Sequence, residues 1–185
     1  MKVNEIFYSL QGEGKYTGTA AVFVRLSGCN RRCWFCDTKH EVGTEMTEED
    51  IVKAVTQYPA RHIVITGGEP TMQLTARLTE MLHREGFFIQ IETNGSIALP
   101  DDAEVDWITC SPKGNEIKIQ RIDELKLLFL PEYLEKYDGV EAKEYRLQGV
   151  DNGNVNPNLN HLVSYIKENP KWRLSLQTHK LIGVQ

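Results

Sequence analysis

Short β-rich runs alternating with amphipathic helical patterns constrain this chain more than any other feature. Ala21–Leu26, His62–Thr66, Phe88–Glu92 and Trp107–Cys110 are compact runs rich in branched and aromatic residues, the pattern of buried strands. Between the first three lie two helical patterns. Thr47-Glu48-Glu49-Asp50 reads as a capping box opening a helix whose Ile51, Val52, Val55 and Tyr58 share a face, with Pro59 ending it. Gln73–Glu85 carries Leu74, Leu78, Met81 and Leu82 at helical spacing, with Gly86 at the expected stop. Asn158–Asn169, closed by Pro170, is a third candidate. Glu124–Leu130, Tyr145–Gln148 and Arg173–Gln177 are later strand candidates, and Gly149–Asn154 reads as a loop.

A parallel crossover needs about a dozen residues, most often a helix, so this alternation predicts an α/β fold with a mainly parallel sheet. A full eightfold barrel takes about 250 residues, and this chain has 185. The expectation is therefore a partial, open (β/α) barrel of about six mainly parallel strands, with few helices in its second half. No linker or repeat divides the chain, so residues 1–185 are expected to form one domain.

A domain of this size buries roughly 70% of its unfolded surface and needs no disulfide staples. Its four cysteines are thus free for other work. Cys29, Cys33 and Cys36 cluster while Cys110 stands alone at the end of an apolar run, a distribution suited to a metal site with one small buried bystander. The longest apolar runs, such as Ala20–Val24 and Leu127–Leu130, fall far short of the roughly 18–20 residues that cross a bilayer, and the first residues show no leader pattern. A cytoplasmic location without membrane attachment is expected. With 21 basic against 26 acidic side chains the net charge is -5, which repels polyanions, so nucleic acid is not an expected partner.

The cysteine triplet directly follows the first of these strands, at the end where α/β sheets place their sites. Two chemistries compete for it. His40, four residues past Cys36, completes a Cys3His set that zinc could take. Alternatively, three thiolates hold an iron–sulfur cube and leave one iron open to a chelating ligand. Further on, Thr66-Gly67-Gly68-Glu69-Pro70 offers glycines that allow close approach by a ligand and a carboxylate able to accept from an ammonium.

Cys-x3-Cys-x2-Cys followed by Gly-Gly-Glu-Pro resembles the radical S-adenosylmethionine superfamily. The resemblance implies a [4Fe–4S] cluster on Cys29, Cys33 and Cys36, with S-adenosylmethionine chelating the open iron. Within that superfamily the chain is similar to the 7-carboxy-7-deazaguanine synthases, lyases of queuosine and 7-deazapurine biosynthesis. These contract 6-carboxy-5,6,7,8-tetrahydropterin to 7-carboxy-7-deazaguanine and release ammonia. Asn4–Gly14, Phe23–Leu26, Cys36-Asp37-Thr38, Ser111-Pro112-Lys113 and Trp172–Lys180 carry this closer resemblance.

It implies cofactor contacts at Phe35, Cys36, Asp37, Gly68, Glu69, Ser111, Lys113 and Gln148, the last within a loop Gln148–Asp151 that touches the nucleoside. It implies substrate contacts at Leu10, Gln11, Gly12, Glu13, Arg25, Thr66, His179 and the carboxylate of Gln185, with Mg2+ bridging Thr38 to the substrate. Catalytic side chains as such are not implied, because the cofactor carries the radical chemistry. An electron donor such as flavodoxin or ferredoxin and a homodimeric state are also implied. The residue types agree: the Gln-Gly-Glu-Gly loop offers donors and acceptors for a pterin edge, Arg25 a fork for its carboxylate, and Thr38 a hard oxygen for magnesium. Trp34 and Trp172 are expected to be packing residues. A radical enzyme that activates a protein, and a non-catalytic zinc module, are the alternatives.

Overall fold

The computed structural model describes residues 1–150 and 159–185. Nine strands form one sheet: β1 (Lys2–Leu10), β2 (Ala20–Leu26), β3 (Thr44–Glu45), β4 (His62–Gly67), β5 (Phe88–Thr93), β6 (Trp107–Cys110), β7 (Glu124–Leu128), β8 (Glu144–Gln148) and β9 (Arg173–Ser175). Their order is β3-β1-β2-β4-β5-β6-β7-β8-β9, with β3 and β9 as the open ends. From β2 to β9 every neighbouring pair is parallel, which gives seven parallel strands in the expected open (β/α) arrangement. Two antiparallel strands, β1 and β3, extend it beyond what the alternation announced.

Helix α1 (Glu48–Val55) opens on the expected reciprocal cap, the Thr47 hydroxyl accepting from Asp50 N–H at 3.1 Å and the Asp50 carboxylate from Thr47 N–H at 3.1 Å. Helix α2 (Ala76–Arg84) starts later than expected, because Pro70–Met72 forms a 3-10 turn and Thr75 supplies the N-cap. Gly86 then leaves α2 with φ +77°. Helices α3 (Pro131–Tyr137) and α5 (Thr178–Ile182) are short additions, and α4 (Leu159–Glu168) is the expected third helix. Asn158 and the loop positions 151–154 lie outside the described residues. None of the described helices is long and apolar enough to cross a membrane.

Period-two alternation gives the sheet two different faces. Val22, Val24, Leu26, Ile63, Ile65, Ile89 and Ile91 point one way and pack with Ile51, Val55, Leu78 and Leu82 of α1 and α2. Leu125, Leu127 and Leu147 continue that face and pack with Tyr133, Tyr137, Leu162 and Trp172. The residues between them, including Arg25, Thr66, Glu92, Lys126 and Gln148, line a cleft on the other face. The β1–β2 loop folds over that face, pinned by Gln11 N–H to Thr19 O at 2.8 Å and Gly14 N–H to the Ser175 hydroxyl at 3.1 Å.

Candidate active site

Strand β2 ends at Leu26, and the cysteine loop leaves from Gly28, whose φ of +86° suits glycine. The loop is tied down at several strand ends. Gly68 N–H donates to Leu26 O at 2.9 Å, Glu69 N–H to Gly28 O at 2.9 Å, and Gly28 N–H to His40 O at 2.7 Å. Asn94, after β5, donates to the Asn30 side chain at 3.0 Å, while Arg31 donates to Lys113 O at 2.7 Å. A Cβ on Gly67 or Gly68 would collide with the backbone of Leu26 or Gly28. The close approach that these glycines allow is therefore first of all that of the chain's own cysteine loop.

Glu69 is a correction. Its side chain is completely buried and does not line the cleft. The carboxylate is already occupied by Thr71 N–H (3.1 Å), the Thr71 and Thr93 hydroxyls (both 2.6 Å) and Asn94 N–H (2.7 Å). Instead of facing an ammonium, it locks the turn that carries Gly67 and Gly68.

Cys29, Cys33 and Cys36 are unpaired thiols on the rim of a cleft of about 450 Å³, Cys36 exposed and the other two half-buried. Among the described residues no three His, Cys, Asp or Glu side chains converge as ligands of one ion. A cube makes no such demand, since each cysteine binds a different iron. The three thiols on one tethered loop fit that group. Phe35, Ser111, Lys113 and Gln148, the expected cofactor contacts, line the same cleft. The Lys113 ammonium is half-buried and donates to the Ser111 hydroxyl at 3.0 Å. Burial, and then the Lys126 cation, push it below its usual value, so an incoming carboxylate would be well received. Trp34 corrects a second expectation: it is 79% exposed, whereas Trp172 is buried against Tyr145.

The substrate candidates line the same cleft: Leu10, Gln11, Gly12, Glu13, Arg25, Thr66, His179 and Gln185. Gln11 donates to Glu92 at 2.9 Å and accepts from Glu13 N–H at 3.1 Å. Gly12 sits against the His179 ring, which leaves no room for a Cβ. Arg25 is paired through one Nη with Glu5 at 2.6 Å and lies over the Phe7 ring. Glu5 in turn accepts from the Gln185 amide at 2.6 Å, and the Gln185 main-chain oxygen accepts from Ser9 at 2.7 Å. Asp37 accepts from Gln177 at 3.0 Å and Lys180 at 2.8 Å, which bind the cysteine loop to α5. Thr38 lines the cleft beside it, and so does His40.

Two charged cleft residues, Glu92 and Lys126, carried no motif, yet both sit on the inward face of parallel strands. Strict alternation through Phe88–Thr93 and Glu124–Leu128 was the available signal.

Comparisons with known proteins fit this geometry. A radical SAM superfamily model matches residues 23–124. The 7-carboxy-7-deazaguanine synthase of Bacteroides thetaiotaomicron is 47% identical, covering 100% of this chain and 98% of that protein. The chain belongs to the 7-carboxy-7-deazaguanine synthase family. The synthase of Bradyrhizobium diazoefficiens is 37% identical over 99% of this chain and 98% of its own length. The crystal structure of QueE from Escherichia coli superposes with a TM-score of 0.77 at 31% identity, covering 96% of this chain and 94% of that one. As a radical SAM enzyme, a member of this family uses a [4Fe–4S] cluster, S-adenosylmethionine and a reductant.

Proposed function

We propose that this chain contracts 6-carboxy-5,6,7,8-tetrahydropterin to 7-carboxy-7-deazaguanine, with loss of ammonia, as a step of queuosine or 7-deazapurine biosynthesis. The observation that carries this reading is a single cleft lined both by three unpaired thiols and by the Gln11, Glu13, Arg25 and Glu92 set. When bound, the cluster and S-adenosylmethionine supply a 5′-deoxyadenosyl radical. The protein's part is to bind, orient and shield.

Gln11, Glu13 and Glu92 offer acceptors for the 2-amino and ring N–H groups of a pterin. Arg25 is held by Glu5 through one nitrogen only, so most of its five N–H donors remain for the substrate carboxylate. Thr38, which lines the cleft, would hold Mg2+ together with that carboxylate, one protein ligand being ordinary for this ion. Phe35, packed beside Lys113 and Trp34, walls off the cluster end. Lys113, Ser111, Gln148, Asp37 and the Gly68 backbone serve the cofactor, while Leu10, Gly12, Thr66, His179 and Gln185 frame the pterin. The cysteine rim, open to solvent at Cys36, is where a donor such as flavodoxin or ferredoxin would deliver its electron. A homodimer in the cytoplasm is the proposed working state. The exposed Leu174, Leu176, Leu181, Ile182 and Val184 near the β9 edge are apolar surface for a second copy.

Anaerobic incubation of the reduced, cluster-loaded protein with S-adenosylmethionine, Mg2+ and the carboxypterin should yield 7-carboxy-7-deazaguanine by mass. An intact cluster with no product would refute the assigned substrate. A colourless protein holding zinc and no iron would refute the radical reading altogether.

A further inference from the structure

Lys126 projects from β7 into the polar face of the sheet and is only 6% exposed. A lysine so deeply placed needs compensation, since an unpaired buried ammonium is costly. Its Nζ is ion-paired with Oε2 of Glu13, while Oε1 of the same carboxylate accepts from Gln177 at 2.9 Å. A carboxylate has about four acceptor positions, and these two donors leave both oxygens with capacity beside the cleft. Other charges surround the pair. Glu92 faces it from β5, Glu124 lies two residues back on β7, Arg146 comes from β8, Lys113 follows β6 and His179 belongs to α5.

With the pair included, three carboxylates (Glu13, Glu92, Glu124) face three cations (Lys126, Lys113, Arg146), a balance that fails once Lys126 is removed. Without Lys126, the mostly buried Glu13 carboxylate would be left facing Glu92 and Glu124, and a carboxylate in such company takes up a proton more readily. Protonation would turn an acceptor into a donor just where pterin N–H groups arrive. Burial would raise the Glu13 carboxyl, but the Lys126 cation and the hydrogen bonds hold it below the usual range. Burial would likewise lower the Lys126 ammonium, but Glu13 and Glu92 hold it above its usual value.

We infer that Lys126 is a positioning residue of the substrate site: it fixes Glu13 as an ionised, single-rotamer acceptor, and so sets the recognition of the donor edge of the pterin. The role rests on the substrate proposed above. Its direct partner is Glu13, whereas Lys113 on the cofactor side feels Lys126 only through its charge.

The test measures carboxypterin and S-adenosylmethionine affinities separately on cluster-loaded protein, across pH from about 6 to 9. Lys126→Met should weaken pterin binding at neutral pH by at least about tenfold, the direction expected when one partner of a buried charge pair is removed. Affinity should recover as pH rises and Glu13 deprotonates, while wild type stays flat. Lys126→Arg should restore most of it, iron content should not change, and cofactor affinity should change far less than pterin affinity.

Pterin affinity within about twofold of wild type, or an equal loss of cofactor affinity, would overturn the inference. Should Lys126→Met not fold, the double variant Glu13→Gln/Lys126→Met removes both charges. It should fold and bind pterin no more weakly than Glu13→Gln alone; markedly weaker binding would show that Lys126 acts independently of Glu13, against the inference. If wild type binds the cofactor but not the carboxypterin, the substrate reading fails by itself. The melting temperatures then decide the pair: the double variant lying above Lys126→Met upholds the control of Glu13 by Lys126, and its lying below contradicts it.

Discussion

Cys33 and Cys110 are the same side chain in opposite surroundings. Cys33 sits half-buried on the cleft rim, while Cys110 is fully buried at the end of β6, its sulfur close to Gly95. Burial pushes the Cys110 thiol up to about 12, so at neutral pH it is a protonated, hydrophobic side chain, and metal ligation needs the thiolate. Cys110→Ala should therefore keep its iron and most of its turnover, at a stability cost of about 1 kcal/mol. Cys33→Ala should lose both iron and turnover. Iron analysis after anaerobic reconstitution separates the two, and loss of iron from Cys110→Ala would mean that the wrong thiols have been assigned to the cluster.

At the scale of elements, the turn after β4 acts as a clamp. Gly67 and Gly68 cross the backbone of Leu26–Gly28 so closely that no side chain fits, and buried Glu69 fastens the turn to Thr71, Thr93 and Asn94. Gly68→Ala should force the two loops apart, lower stability by about 1–3 kcal/mol, and reduce iron incorporation although no ligand has been touched. Thermal melts together with iron content check this; normal iron loading in a destabilised variant would show that the turn does not position the cysteine loop.

The elements differ in how plainly the sequence announces them, and the reason is burial. Strands β2, β4 and β5 are apolar runs packed under helices, and α1 advertises itself with a capping box. Strand β1 is quieter because only Val3 of its nine residues is buried, so it lacks a clean apolar rhythm. Helices α3 and α5 are one or two turns long and have no side-chain N-cap, too short for a periodic signal. The same holds in the site. The cysteine and Gly-Gly motifs are legible as strings, whereas Lys126 and Glu92 are single charges alternating with apolar residues. Such charges ordinarily read as the solvent face of a strand, and only the closure of the β1–β2 loop over that face turns it into a cleft wall.

For the whole molecule, the open sheet divides the labour between its faces. One face, under the helices, holds the apolar core, and the other gathers the cysteine rim, the Lys113 pocket and the Glu13–Lys126 pair into one cleft. The short second-half helices leave β9 as an unpaired end of the sheet beside exposed leucines, consistent with the proposed pairing of two copies there. In the proposed reaction the cleft would hold the carboxypterin with C6 facing the cofactor, and the C6 hydrogen would pass to the cofactor's 5′-carbon, with one hydrogen of the resulting methyl returned as the cofactor re-forms. This central claim is tested most directly by mass analysis of S-adenosylmethionine recovered from turnover of C6-deuterated carboxypterin. Deuterium in the 5′-methylene of the recovered cofactor, together with deazaguanine product, is the result predicted. Product formed with no deuterium in the cofactor pool would contradict it.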